Sequence, residues 1–197
     1  MISRRIRPLA LLLVPVALLT VSCHKKASQG WFPLELGSKW TCNLTGSSGN
    51  GTFTITVTDV HGITHHARAT ADSGVSLSTV FPFSYLDGFR YYAVSHDTTW
   101  LGAYGGESPA VVVVQPLEVG DVWRWWDWWT DSAVVAGRKG VIVPAGTFKD
   151  CYQLDYYEGN VEQAVYRVCY ADGFGAVKGE GLTSPTWQFE LKSADLP

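Results

Sequence analysis

Gly51-Thr52-Phe53-Thr54-Ile55-Thr56-Val57-Thr58-Asp59 alternates a large apolar residue with a hydroxyl residue along its length. A period of two puts Phe53, Ile55 and Val57 on one face and the threonines on the other. That is the pattern of a strand with one buried and one wetted side, written in the β-branched residues that suit a pleated surface. The same reading extends outward to Val111-Val112-Val113-Val114 and to Gly140-Val141-Ile142-Val143. Turn residues recur at 46–51, 61–62, 72–74, 87–88, 105–106, 137 and 159–160. No stretch beyond residue 30 holds a period of 3.6. The pattern predicts an all-β domain: an antiparallel, strongly curved sheet, either an open β-barrel or a two-layer sheet.

An internal echo refines this expectation. Pro33-Leu34-Glu35-Leu36-Gly37-Ser38-Lys39-Trp40 returns as Pro116-Leu117-Glu118-Val119-Gly120-Asp121-Val122-Trp123. In each copy a proline and a glycine turn deliver a tryptophan to the start of a strand. This suggests two half-repeats, starting near 31 and 114, that open on the same corner; recurrence of a common turn motif is the alternative.

Upstream of the first copy, Arg4, Arg5 and Arg7 precede an apolar run from Leu9 to Leu19 that closes on Thr20-Val21-Ser22-Cys23. The run is too short to span a bilayer and has the layout of an export signal. Its end resembles the lipobox of bacterial lipoproteins, with Leu19 one place earlier than usual. The resemblance implies cleavage after residue 22, acylation of Cys23 and a lipidated tether over 23–30; the length that remains suits a single β domain over 31–197. Two or more acyl chains hold a protein stably on its membrane. His24, in place of the aspartate that retains some lipoproteins in the inner membrane, favours the outer membrane where there are two. With the three arginines gone, Lys plus Arg falls from 15 to 12 against 18 acidic residues, a net charge of −6. Such a balance offers nothing to nucleic acid.

Cys42, Cys151 and Cys169 remain, an odd number for an exported chain. Residues 149–157 and 164–170 read as hairpin arms around Glu158-Gly159-Asn160. Setting Cys151 against Cys169 makes every facing pair sum to 320, with Gln153 opposite Arg167, and would permit a disulfide. The other reading is three separate thiols, with Cys42 packed in the core.

The landmarks Phe32-Pro33-Leu34 with Gly37 and Trp40, then Pro116-Leu117 with Gly120, Asp121 and Trp123, Val143-Pro144-Ala145-Gly146-Thr147-Phe148 with Cys151, and finally Tyr170-Ala171 with Gly173, Gly175, Val177 and Lys178, resemble a group of largely uncharacterised bacterial lipoproteins and secreted proteins. Phe174 stands where that group often has valine. The resemblance implies a β-rich envelope fold and no established activity.

Catalytic and metal signatures do not assemble. His65 and His66 are adjacent and would point to opposite faces of a strand, and with His61 and His96 they read as surface residues. Asp127, Asp131, Asp155 and Glu158 read as solvated strand-end acids. No cofactor or metal is expected, and the chain reads as non-enzymatic. Its most distinctive run is Trp123-Arg124-Trp125-Trp126-Asp127-Trp128-Trp129. As a strand it carries indoles on both faces, Trp123, Trp125 and Trp129 on one, Trp126 and Trp128 on the other. One core needs only one such face, which makes Trp125, Trp126, Trp128 and Trp129 candidates for contact with an apolar ligand, a glycan, a protein or the membrane. The leading expectation is a lipid-anchored envelope binding protein. A structural or assembly lipoprotein without a small ligand is the alternative, and an envelope hydrolase a distant third.

Overall fold

The structure, a computed structural model, describes residues 33–62, 64–78, 80, 90–95, 98–103, 110–124, 131–159 and 161–197, with only the backbone described at 90–95, 98–103 and 110–111. Among these residues there is no helix. Twelve strands run in chain order: β1 (Lys39–Gly46), β2 (Gly51–His61), β3 (Thr64–Ala71), β4 (Arg90–Ser95), β5 (Thr98–Ala103), β6 (Ala110–Val114), β7 (Val122–Trp123), β8 (Ser132–Val143), β9 (Gly146–Tyr157), β10 (Tyr166–Ala171), β11 (Gly175–Gly181) and β12 (Trp187–Asp195). They form one antiparallel sheet in the order β6-β5-β4-β3-β2-β1-β12-β11-β10-β9-β8-β7, which is not closed. The first and last strands therefore meet in the middle, and β6 and β7, consecutive in the chain, are its two edges.

The two six-strand meanders repeat one another in register over parts of their first three pairings. Trp40 faces Ile55 as Trp123 faces Ala133. Val57 faces Ala67 as Val135 faces Leu154, and each pairing is followed by a bulge one residue on. His65 faces Tyr92 as Tyr152 faces Tyr170. The corners agree down to their hydrogen bonds. Ser38 N–H donates to Glu35 C=O at 2.9 Å, and Asp121 N–H to Glu118 C=O at 3.0 Å. Gly37 N–H donates to Val57 C=O and Gly120 N–H to Val135 C=O; the same valines donate back to Ser38 and Asp121. Gly37 and Gly120 sit at φ 87° and 99°, the left-handed geometry that a type II turn requires at its third residue.

Bulges in β2–β3, β5–β6, β8–β9, β10–β11 and β12–β1 add twist and curl the sheet around one apolar face. The alternation read at 53–57 holds: Phe53, Ile55 and Val57 are buried there with Leu44, Leu154, Tyr156, Tyr170, Phe189 and Leu191. The curl brings edge strand β6 onto the inner side of β9, where Tyr156 Oη donates to Val112 C=O at 2.8 Å. The long β8–β9 hairpin outgrows its neighbour β10 and folds back to β12. Ala145 N–H donates to Leu191 C=O, and Val141 and Val143 join the core.

The hairpin of β9 and β10 forms, but its register corrects the one expected. Facing pairs sum to 322, so Arg167 meets Asp155 and Cys169 meets Gln153. Both registers keep Leu154 and Tyr156 on the core face. The observed one adds a two-pronged ion pair, Arg167 Nε to Asp155 Oδ1 at 2.8 Å and Nη2 to Oδ2 at 2.9 Å, and lengthens the connection so that Ala164 and Val165 are buried. Cys151 then lies diagonal to Cys169, and Cys42, Cys151 and Cys169 are all free, buried thiols.

Candidate functional site

The inner face of the second half is built from rings laid over glycines. β11 reads Gly175-Ala-Val-Lys-Gly-Glu-Gly181, and β12 opposite reads Trp187-Gln-Phe189, in a register that sets Gly181 against Trp187 and Gly179 against Phe189. A methyl group at either glycine would run into the facing ring. Without side chains in the way, Tyr166, Trp187 and Phe189 stack in a row at 6.0 Å spacings, and Phe53 closes it edge-on at 6.3 Å. Beside the row, the hydroxyls of Tyr156 and Tyr170 lie 3.1 Å apart. Burial pushes the Tyr156 hydroxyl well above its ordinary pKa, partly offset by its bond to Tyr170, which keeps it protonated as a donor to β6. The sequence signal for this platform is the spacing of Gly179 and Gly181 against Trp187 and Phe189.

The opposite, outer face carries a polar ladder. Lys139 Nζ donates to Gln153 Oε1 at 2.7 Å, Gln153 Nε2 to Asp155 Oδ1 at 3.1 Å, and Arg167 Nη1 reaches Glu180 at 3.4 Å. One step along, Lys178 Nζ donates to Glu190 Oε1 at 2.7 Å. Asp155 hydrogen-bonds hold the Arg167 guanidinium firmly protonated. Cys151 and Cys169 lie among these groups; burial pushes Cys151 up to about 11 and raises Cys169 also, so neither is poised as a thiolate. Cys42 is buried on the core face and raised further.

The remaining candidates separate. Cys23 and Trp125, Trp126, Trp128 and Trp129 lie outside the described residues, as do Asp127 and His96. Trp123 is half-buried against the core and Arg124 is exposed. Asp131 is buried and accepts the Gly159 N–H at 2.7 Å, which makes it a loop clasp; Glu158 is exposed. His65 departs from the surface role expected of it: half-buried, it donates from Nδ1 to the Leu34 carbonyl at 2.6 Å and pins the first corner. His61 pairs with Asp59 at 2.8 Å in the open, with the ring of His66 at 6.2 Å. Among the described residues no cluster of His, Cys, Asp or Glu could hold a metal ion.

What the arrangement leaves open is the sheet's end at β7. β1 is paired on both sides, with β2 and β12, whereas among the described residues its counterpart β7 is paired with β8 alone. Trp123, the first residue of the tryptophan run, lies in this strand.

No protein-family model and no curated protein matches the chain. Among solved structures it is similar to a Bacteroides fragilis protein described as exported with a YmcC-like fold, at 13% identity over 83% of this chain and 98% of that one, TM-score 0.49. It is likewise similar to a Parabacteroides distasonis protein described as a lipoprotein, at 14% identity over 84% and 98%, TM-score 0.48.

Proposed function

We propose that this chain is a lipid-anchored protein of the bacterial cell envelope that works by binding and not by catalysis, and that its contact surface is the tryptophan run from Trp123 to Trp129. The observation that carries the reading is where the run begins. Trp123 lies in β7, which among the described residues is a terminal strand of the sheet, and Trp125, Trp126, Trp128 and Trp129 follow it directly in the sequence. Indoles at such an edge suit an apolar chain, a sugar face or a protein. The anchor is supported by the sequence alone: Arg4, Arg5 and Arg7, the apolar run and Cys23. His24 favours the outer membrane of a two-membrane cell. The absence of catalysis is supported by the engagement of Asp155 with Arg167 and of Asp131 with Gly159, which leaves these carboxylates holding structure.

A second reading, a structural or assembly lipoprotein without a small ligand, is favoured by the filled inner face, where Phe53, Tyr156, Tyr170 and Phe189 are all fully buried. Tryptophan fluorescence of residues 24–197, titrated with acyl lipids and with cell-wall glycans, separates the two. Binding predicts a saturable shift that a folded Trp126→Ala/Trp128→Ala variant loses. No shift with any ligand, in a wild type that melts cooperatively, selects the assembly role.

A further inference from the structure

One end of the sheet gathers exposed apolar side chains around Pro33 and Leu34. The chain enters the domain there, at Pro33 and Leu34, beside His65 at the start of β3. The turn after it exposes Leu36, 62% accessible at the tip of the first corner. That corner delivers Trp40, whose Nε1 donates to the Phe174 carbonyl at 2.8 Å, and so sets the β10–β11 turn beside it, with Phe174 itself 39% exposed. Phe174 packs edge-on against Phe148 at 5.0 Å, which brings in the tip of the β8–β9 hairpin, with Ile142 77% exposed and Pro144 and Ala145 exposed next to it. Residues 140–148, Gly-Val-Ile-Val-Pro-Ala-Gly-Thr-Phe, contain no charge. The connections at the other end read Ser47-Ser-Gly-Asn50 and Thr183-Ser-Pro-Thr186.

The geometry points to this end as the face on which the domain sits on the bilayer that holds its own anchor. The inference rests on acylation of Cys23. From Cys23 to Pro33 is ten residues, which reach roughly 35 Å at full extension, so the end that receives the tether stays within that distance of the lipid surface. Leu36, Ile142 and Phe174 then enter the interfacial layer, where aromatic and branched side chains are well accommodated. A few side chains would bind a membrane weakly on their own. The anchor makes their contact intramolecular, so a small affinity suffices to orient the sheet.

The test uses the full lipidated chain in vesicles of equal parts phosphatidylethanolamine and phosphatidylglycerol. An environment-sensitive fluorophore is placed by Leu36→Cys, Ile142→Cys and Phe174→Cys, and at the far end by Val161→Cys and Leu182→Cys; the parent protein, whose three thiols are buried, is the labelling control. The expected result is a blue shift, and quenching by lipid-borne quenchers, at 36, 142 and 174 and neither at 161 and 182. Protein that floats with vesicles while all five positions stay water-like overturns the seating and leaves the anchor intact. Protein that does not float overturns the anchor, and the seating with it. Because Leu36 and Ile142 are solvent-exposed and stand outside the core, they decide the outcome should Phe174→Cys fail to fold.

Discussion

Trp40 and Trp123 leave the same turn. Each follows a glycine in left-handed geometry, each corner is stitched by the same pair of hydrogen bonds to a valine of the next strand, and each tryptophan faces the equivalent residue of that strand. Beyond the turn they diverge. β1 runs for eight residues between two neighbours, and Trp40 is buried with its Nε1 bonded to Phe174. β7 runs for two residues beside one neighbour, and Trp123 is half-buried at the edge. The local sequence decides the turn; a second strand, supplied from the far end of the chain, decides whether the tryptophan becomes core. The first half spends its corner on closing β1 to β12, and the second keeps its corner at a free edge.

The sharpest contrast should come from truncating the two rings. Trp40→Ala is expected to cost about 3–5 kcal/mol, from the cavity and the orphaned Phe174 carbonyl, and Trp123→Ala about 1–2 kcal/mol, read as shifts in urea midpoint at constant m-value. Equal losses would break the comparison. Next in size is Tyr156→Phe, which removes the hydroxyl tying β6 to the inner face. It should cost about 1–3 kcal/mol and raise amide exchange at 110–114 while leaving 39–46 unchanged.

Titration offers a third contrast, because the second half places Cys151 and Tyr156 where the registers of the first place Thr64 and Ala69. Burial raises Cys151 from about 9 to about 11 and lifts Tyr156 as well. Groups raised in the folded state hold protons that the unfolded chain has lost, so their contribution is complete below about pH 9 and is lost as pH climbs through about 11. The Cys151 share of that loss should be about 1–2 kcal/mol. Cys151→Thr should make the slope shallower, and an unchanged slope would show that Cys151 is not a contributor. Smaller still, Gly37→Ala and Gly120→Ala should each cost about 1 kcal/mol, by backbone strain alone since nothing lies within 4 Å of either added methyl. Matching losses would sharpen the equivalence of the turns; a difference above about 1 kcal/mol would undo it.

How much of this was legible follows from the range of each interaction. The alternation at 51–59 and the paired corners are short-range patterns, and strand type and turn geometry are short-range properties, so both could be read. The β9–β10 register was misread by two residues because a possible cysteine pair was weighed ahead of Asp155 and Arg167, whose ion pair needs the longer connection. His65 was placed on the surface because its partner, Leu34, is brought to it only by the curl of the sheet. The tie from Tyr156 to Val112 joins residues 44 apart in sequence and leaves no local trace. The tryptophan run stands out by composition, and the position of its first residue, Trp123, in a terminal strand comes only from topology.

Hydrogen–deuterium exchange on residues 24–197, resolved to single amides, tests the central contrast most directly. Strands β1 and β12 should be protected to the level of global unfolding, and 121–123 should exchange orders of magnitude faster, as befits one joint closed and one edge free. Equal protection at 121–123, 110–114 and 39–46 would mean that β6 and β7 are paired as β1 and β12 are, and that the sheet is a closed barrel without the free edge on which this account depends.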